Sequence, residues 1–269
     1  MNHPKVSVVM PVYNEEKFLD KSIQSILNQT FKDFEFIIVN DCSKDNSRKI
    51  IEKYKKIDKR IILINNKKNK NFPEVRNIGI RASKGKYIAN MDGDDISHPK
   101  RIEKQFNYLE KNHYIFLVGS SAIYINEEGV EINRFRKYDN YKLLAWRLPK
   151  SCSIIDPSTM FRNEGFLYGS GFGGAVDYNF YLDLLEKGKN LTNLPEFLVK
   201  YRLHANSMSI SKRKEQETFR DKTQELHKHL NNKVNLFNKI IYSIRLFFHY
   251  LRTMNEKNVL KGIINKIYR

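Results

Sequence analysis

The chain has 269 residues, and its 48 Lys and Arg against 30 Asp and Glu leave a formal net charge of +18. A hydrophobic share of 41% and an aromatic share of 12% describe a globular protein and exclude wholesale disorder. Its two cysteines, Cys42 and Cys152, are too few for a disulfide scaffold or a four-cysteine zinc site, and they fit a reducing compartment. The N-terminus lacks a signal-peptide pattern, and no run approaches the roughly 18 apolar residues of a membrane span. Neither export nor transmembrane anchoring is therefore expected.

Strands and helices alternate over the first hundred residues. Apolar, β-branched runs predict strands, and apolar residues at helical spacing predict the helices between them. The predicted strands are Lys5–Met10, Phe34–Val39, Ile61–Ile64 and Lys86–Met91, and the predicted helices are Glu16–Leu27, Asp45–Ile57 and Pro73–Ala82. This alternation is typical of βαβ units, and it predicts an α/β fold with a mostly parallel central sheet flanked by helices.

The second half of the chain departs from this alternation. A predicted helix at Lys100–Lys111 leads into two strands, Phe116–Ile125 and Val130–Phe135, which the turn residues 126–129 join as a hairpin. A glycine-rich loop at 169–174 precedes a predicted helix over Val176–Lys187. The sequence contains neither an internal repeat nor a long linker.

The last 69 residues carry more than half of the net charge. Tyr201 to Arg269 contain 15 Lys and Arg against 5 Asp and Glu, a surplus of +10, while the first 200 residues carry +8. Between Lys233 and Thr253, apolar residues fall on one arc of a helix with basic residues opposite, which predicts an amphipathic basic helix. Three partners for its apolar arc stay open: the main domain, an anionic membrane surface and a second copy of the chain.

Acidic and polar side chains follow three of the first four predicted strands. They are Tyr13-Asn14-Glu15, Asp41 and Asp92-Gly93-Asp94-Asp95. The carboxyl ends of parallel strands meet at one edge of a sheet, which is where ligands bind in open α/β folds. Carboxylates crowded there repel each other unless a cation lies between them, and their hard oxygens suit Mg²⁺ or Mn²⁺. The alternative, an Asx-rich turn capping the helix that follows Pro99, accounts for one aspartate but not for the set.

Four motifs in order carry a resemblance to a known family. They are VVMPVYNEE from Val8, VNDCSKD from Val39, RNIG from Arg76 and DGDD from Asp92. Together they resemble glycosyltransferase family 2, over about Lys5 to Ser209. The resemblance implies a GT-A fold in which residues 1–210 form the catalytic domain, with about 1–100 as the nucleotide-binding half and 101–210 as the acceptor-binding half. Residues 211–269 would form a basic helical C-terminal region.

The resemblance also assigns a nucleotide pocket and a metal site. The nucleotide-binding residues it implies are Pro11, Val12, Tyr13, Glu15, Asp41, Arg76, Asp92 and Gly93. Asp41 would accept a hydrogen bond from the base, and Arg76 would lie beside the base and the diphosphate. In the DxD-like motif, Asp94 would coordinate the Mn²⁺ or Mg²⁺ that bridges the diphosphate, with Asp95 orienting Asp94. A cation placed there stabilises the departing nucleoside diphosphate.

An inverting transfer also needs a base that deprotonates the acceptor hydroxyl. The resemblance implies an acidic residue at the start of the helix after the glycine-rich loop, and Asp177 matches it. Asp183 is the alternative base, and a helix N-cap is the competing role for Asp177.

A segment farther on resembles the one that closes over the diphosphate in related enzymes. In this segment, Tyr201 to Ser209, His204 would be a metal or phosphate ligand and Arg202 a partner of a phosphate. Three positions depart from the family pattern: Asn40, Cys42 and Val176. The first two concern the loop at Asp41, where Asp and Gly are commoner, and the third concerns acceptor contacts, since Glu is frequent there.

The sequence therefore predicts a metal-dependent, inverting hexosyl- or hexosaminyltransferase. Its donor would be a nucleoside-diphosphate sugar, with UDP favoured by its frequency in the family, and its acceptor a hydroxyl of a glycan or lipid-linked molecule in surface polysaccharide or glycoconjugate synthesis. We expect it in the cytoplasm, peripheral at the inner face of the membrane.

Three alternatives stay open at this stage. One is a family member that binds nucleotide without transferring sugar. Another is a sugar nucleotidyltransferase, which would normally carry a glycine-rich loop where Pro11 to Glu15 stand. The third is a basic module that binds nucleic acid or membranes. Nucleic-acid binding is not expected, because it leaves the clustered aspartates unexplained.

Overall fold

A computed structural model of the protein describes residues 3–137, 140–205, 207 and 213–232. The chain divides into two compact units, 1–227 and 228–269. Of the second unit, the structure describes only the 3₁₀ turn Lys228–Asn232. The predicted amphipathic helix at 233–253 lies outside the described residues. Within the described ranges, no helix is long and apolar enough to cross a membrane.

The first unit is built on a nine-stranded sheet. Its strands are β1 Val6–Val12, β2 Phe34–Asn40, β3 Ile61–Asn65, β4 Tyr87–Asn90, β5 Ile96–Ser97, β6 Ile115–Ile125, β7 Glu131–Phe135, β8 Met160–Arg162 and β9 Asn190–Arg202. Its helices are α1 Leu19–Leu27, α2 Ser47–Ile57, α3 Phe72–Ala82, α4 Arg101–Lys111, α5 Tyr141–Arg147, α6 Val176–Glu186 and α7 Arg213–Leu226. Two 3₁₀ turns, Asp156–Ser158 and Gly173–Ala175, precede β8 and α6.

The sheet has the strand order β3-β2-β1-β4-β8-β6-β9-β5, with β7 paired to β6. The pairs β1–β2, β2–β3 and β1–β4 are parallel, as the alternation of strands and helices predicts. The second half is mixed, because β8 runs antiparallel to both β4 and β6 while β9 runs parallel to β6. The predicted α/β fold is confirmed, and so is the hairpin, as β6 and β7.

The central strands are buried on both faces, as expected of a parallel sheet covered by helices. On one face Val8 and Met10 of β1 pack in the same cluster as Ile23 of α1. On the other, Val39 of β2 packs with residues of α3. Helices α1 and α3 therefore cover opposite faces of the sheet.

The long strand β9 is not evident in the sequence, because Pro195 lies within it and proline cannot donate to a strand ladder. The structure accommodates this residue at an irregularity: Ser120 of β6 pairs with Leu194, and Ser121 pairs with Phe197. The strand then continues to Arg202. His204 follows its end and therefore lies at the edge of the sheet where β1 and β4 also end.

Candidate active site

The loops after β1 and β2 lie against each other, because these two strands are parallel neighbours. The Asn14 N–H donates to the Ser43 hydroxyl (3.1 Å), and the Lys44 N–H donates to the Asn14 side-chain oxygen (2.8 Å). Asn14 and Cys42 both adopt left-handed backbone conformations, with φ of 56° and 62°. Cys42 thus has the conformation that favours glycine, at a cost on the order of 1 kcal/mol.

The predicted nucleotide-binding residues after β1 and β2 differ in the exposure of their side chains. The Asp41 carboxylate is buried, and it accepts hydrogen bonds from the Asn66 amide (2.7 Å) and from the Lys70 N–H (3.0 Å). Tyr13 is 46% exposed and Pro11 is partly exposed, so both are accessible to a ligand. Val12, in contrast, is a core residue with only 2% exposed. The loop that contains Asn66 and Lys70 therefore holds the Asp41 carboxylate in place.

Three side chains from three separate segments offer ligand atoms within 4.8 Å of one another: Glu15, Asp94 and His204. The His204 Nε2 lies 2.9 Å from Asp94 Oδ2, and the His204 ring packs against Phe18 at 4.9 Å between centroids. Gly93 permits this convergence, since a Cβ at that position would lie 3.2 Å from Cγ of Glu15. Two carboxylates and an imidazole form a donor set that fits a divalent ion such as Mn²⁺.

The electrostatics of this cluster favour a cation. Burial, reinforced by the charges of Asp94 and Asp92, raises the pKa of Glu15 to about 9. Burial also raises the pKa of Asp92 to about 6, although Arg76 opposes the shift, and raises the pKa of Asp95 well above its usual range. These carboxyl groups are crowded in a space that solvates them poorly, so a bound cation would stabilise their ionised forms.

Arg76 lies beneath the acidic motif rather than at the surface of the crevice. Its guanidinium is fully buried and donates to the carbonyl oxygens of Val9 and Met91, both at 3.0 Å. The same group donates to Asp92 Oδ1 at 2.5 Å and to Asp156 Oδ2 at 3.1 Å. Arg76 therefore holds the Asp92 carboxylate in place, whereas the resemblance implies a direct role beside the diphosphate.

Asp156 is a site residue that sequence reasoning did not identify. It is buried in the 3₁₀ turn before β8 and accepts hydrogen bonds from the hydroxyls of Tyr168 (2.7 Å) and Tyr181 (2.6 Å). The amide of Asn90 is a third neighbour at 3.3 Å. The only signal in the sequence is a lone acidic residue directly after the apolar pair Ile154-Ile155, which suits a buried ion-pair partner.

Replacing Asp156 by Ala is expected to destabilise the protein by about 3 kcal/mol, because it removes one partner of a buried ion pair. It also leaves two buried tyrosine hydroxyls without their acceptor. Urea denaturation of the purified variant measures the change. The matched Asp156→Asn variant keeps an acceptor oxygen and should lose less stability than the alanine variant. Equal stability of wild type and Asp156→Ala would contradict the structural role.

Asp177 and Asp92 line the same cavity, which has a volume of about 270 Å³. Burial, followed by the charge of Asp156, raises the pKa of Asp177 to about 7. The N-cap of α6 is Ala175, so Asp177 lies in the first helical turn and is not the capping residue. Asp183, the alternative base, accepts from the Asn179 amide and is not among the residues that line this cavity. The geometry favours Asp177 over Asp183.

The end of β9 is fastened to the acidic motif through Arg202. Its N–H donates to Asp95 Oδ1 (2.8 Å), and its guanidinium donates to the carbonyl oxygens of Asp94, Asn126 and Glu127. Because the guanidinium donates to backbone carbonyl oxygens, Arg202 positions the segment that carries His204. Asp95, the predicted partner of Asp94, instead anchors the motif to β9.

The order of the strands and the acidic side chains at their carboxyl ends match the GT-A fold of glycosyltransferases. Two solved structures share this fold. S. aureus TarS 1-349 in complex with UDP-GlcNAc matches with a TM-score of 0.65 and 19% identity, over 76% of this chain and 60% of that one. The mannosyltransferase PcManGT from Pyrobaculum calidifontis, in complex with GDP-Man and Mn²⁺, matches with a TM-score of 0.62 and 12% identity, over 92% and 81%.

The sequence places the chain within this class. The profile of glycosyl transferase family 2 matches residues 7–168, more than half of the chain, and the chain belongs to this family. An uncharacterized glycosyltransferase of Haemophilus influenzae is 35% identical, over 99% of this chain and 86% of its own length. The O-antigen biosynthesis glycosyltransferase WbnJ of Escherichia coli is 34% identical, over 77% and 82%. The predicted family membership is confirmed.

Proposed function

We propose that this glycosyltransferase moves one sugar from a nucleoside-diphosphate sugar to a hydroxyl of a glycan or lipid-linked acceptor, with inversion at the anomeric carbon and with a divalent ion. The observation that carries the proposal is the cavity in which Asp92 of the acidic motif and Asp177 face one space. One carboxylate serves the donor side and the other serves the acceptor side. A nucleotide-binding module without transfer activity would not need the carboxylate of Asp177.

The metal group is Glu15, Asp94 and His204. When bound, Mn²⁺ or Mg²⁺ supplies positive charge where the nucleoside diphosphate leaves. Two other residues position these proposed ligands. Gly93 lets Glu15 approach the acidic motif, and Arg202 fixes the end of β9 next to that motif. A nucleotide would bind beside this group, against Tyr13, Pro11 and the buried Asp41.

Asp177 is the proposed base. It would accept the proton of the acceptor hydroxyl while that oxygen attacks the anomeric carbon from the face opposite the leaving diphosphate. A pKa of about 7 suits this role, since the ionised form is abundant near neutral pH and still basic enough to take a proton. Direct attack in a single displacement is the reason for inversion.

The donor nucleotide and the acceptor class rest on relatives. UDP-GlcNAc and GDP-Man are bound in the two structural neighbours, and we propose UDP because of its frequency in the family. The E. coli relative is named for O-antigen biosynthesis, which supports a surface polysaccharide as the product. We further propose that the transferred sugar is a hexose or a hexosamine. The enzyme would act in the cytoplasm, at the inner face of the membrane.

Thermal stabilisation by nucleotides tests the donor site. We expect one of UDP, GDP, dTDP and CDP to raise the melting temperature in the presence of Mn²⁺ and to lose most of this effect in EDTA. At a nucleotide concentration of 100 Kd, mass action contributes about 2.7 kcal/mol, or roughly 5–10 °C. If none of the four stabilises the protein with Mn²⁺ or Mg²⁺, the proposed donor site is wrong.

A further inference from the structure

Helix α7 packs directly on the turn that leads into α6. A Cβ at Gly173 would lie 2.3 Å from ring atoms of Phe219, and a Cβ at Gly174 would lie 2.2 Å from Cγ of Gln216. Side chains at either position would push the helix away. The two glycines therefore allow the first turns of α7 to reach the cavity that Asp177 lines.

The rest of α7 is anchored to α6 and to the loop before it. The Gln224 amide donates to the Lys150 carbonyl (2.7 Å) and lies 3.3 Å from the Tyr178 hydroxyl. Just beyond the helix, the buried His227 ring lies 2.7 Å from a Glu186 carboxylate oxygen and 3.1 Å from the Asn179 side-chain oxygen. These contacts hold α7 to α6, the helix that carries Asp177 in its first turn, so the first turns of α7 have a defined position.

Gln216 lines the cavity together with Asp92, Asp156 and Asp177. Gln216 is partly buried, and among the residues that the structure describes none forms a hydrogen bond with its carboxamide. A carboxamide both donates and accepts, and this matches a sugar hydroxyl, which does the same. Phe72, Tyr124 and Tyr201 contribute aromatic rings to the lining, and aliphatic side chains such as Ile154 and Leu203 supply the rest of its apolar part. Such a mixture of aromatic rings and few polar groups is typical of sites for small organic ligands.

We propose that α7 forms one wall of the acceptor site and that the Gln216 carboxamide binds a hydroxyl of the acceptor sugar. Gln216 is thus a specificity-determining residue, in a helix outside residues 7–168, the part matched by the family profile. The inference rests on the proposed function and deepens it, because it assigns this cavity to a sugar acceptor and names a residue that contacts it.

The test uses the full chain with Mn²⁺, the donor selected by thermal stabilisation, and octyl β-glucoside, octyl β-galactoside and octyl β-N-acetylglucosaminide as probes. Each probe is measured as an acceptor and as an inhibitor of donor hydrolysis, in which water takes the sugar. For Gln216→Ala we expect the KM or inhibition constant of the best probe to rise about tenfold, the effect of one hydrogen bond of about 1.4 kcal/mol. The ratio of transfer to hydrolysis should fall to a similar extent wherever transfer occurs.

Lys222→Ala is the matched control, because Lys222 is exposed on the same helix. It should leave the probe constants unchanged, and melting temperatures of both variants report correct folding. Unchanged probe constants in a folded Gln216→Ala variant would overturn the inference, as would a wild type that hydrolyses donor but neither glycosylates nor is inhibited by any probe. A wild type without nucleotide-dependent stabilisation and without donor hydrolysis would instead contradict the proposed function.

Discussion

The Asp177→Asn variant is expected to transfer sugar about 10²–10⁴-fold more slowly than the wild type, the usual contribution of a general base. Asparagine keeps the shape of the side chain but does not take up the proton of the acceptor hydroxyl. Nucleotide binding should persist, because Asp177 lies in the cavity wall and outside the cluster of Glu15, Asp94 and His204. Steady-state rates of nucleoside diphosphate release, together with thermal stabilisation by nucleotide, measure both properties.

The pH dependence of the wild type provides a second readout of the same carboxylate. The pKa of Asp177 is raised to about 7, so the ionised fraction falls about tenfold per pH unit below that value. We therefore expect kcat/KM to rise with pH up to about 7 and then to level off. Asp177→Asn should lose this acidic limb, whereas the control Asp183→Asn should keep both the rate and the limb. Unchanged turnover in Asp177→Asn would show that the base is another group.

The Asp94→Asn variant is expected to lose metal-dependent nucleotide binding and to slow transfer by about 10²–10³-fold. Asp94 is the member of the cluster nearest to His204. Together with burial, its charge raises the pKa of Asp92 to about 6, so Asp92 is ionised at neutral pH and repels Asp94. Without metal, the variant should therefore be more stable than the wild type, because a repulsive charge has been removed. We expect a gain of about 1 kcal/mol, or roughly 2–4 °C in melting temperature.

Opposite effects on stability and binding make the Asp94 prediction specific. A residue with only a structural role would lower the melting temperature when replaced, and a surface residue would change neither property. Asp33→Asn removes the same charge from an exposed position just before β2, at the opposite end of the strand, and should leave metal-dependent binding intact. An Asp94→Asn variant that still shows the full Mn²⁺-dependent shift would remove Asp94 from the metal site.

The position of the proposed nucleotide-binding residues at one edge of the sheet could be predicted, because it depends on local sequence. Glu15, Asp41 and Asp92 follow strands that are parallel neighbours, and the rule for strand ends brings such residues together without knowledge of any longer contact. The same rule does not separate a ligand from a supporting residue. Arg76 matches the family motif, yet only the fold shows that it is buried under Asp92 and paired with Asp156.

The proposed acceptor side depends on contacts between distant segments, which the sequence pattern does not encode. Asp156 acquires its role from Tyr168 and Tyr181, and Gln216 reaches the cavity only because the glycine turn before α6 admits α7. A proline within β9 concealed the strand that carries the chain to His204. No sequence motif distinguishes Asp156 or Gln216, and only the tertiary structure shows that they lie at the site.

The release of nucleoside diphosphate from nucleotide sugars tests the central claim most directly. Purified wild type is incubated with Mn²⁺ and, in turn, UDP-, GDP- and dTDP-sugars, with the octyl glycosides as acceptors. We predict release from the sugars of one nucleotide, its loss in EDTA, and its loss in both Asp94→Asn and Asp177→Asn although the second variant still binds nucleotide. Release that persists in EDTA and in both variants, or no release and no nucleotide binding by a folded wild type, would contradict the account.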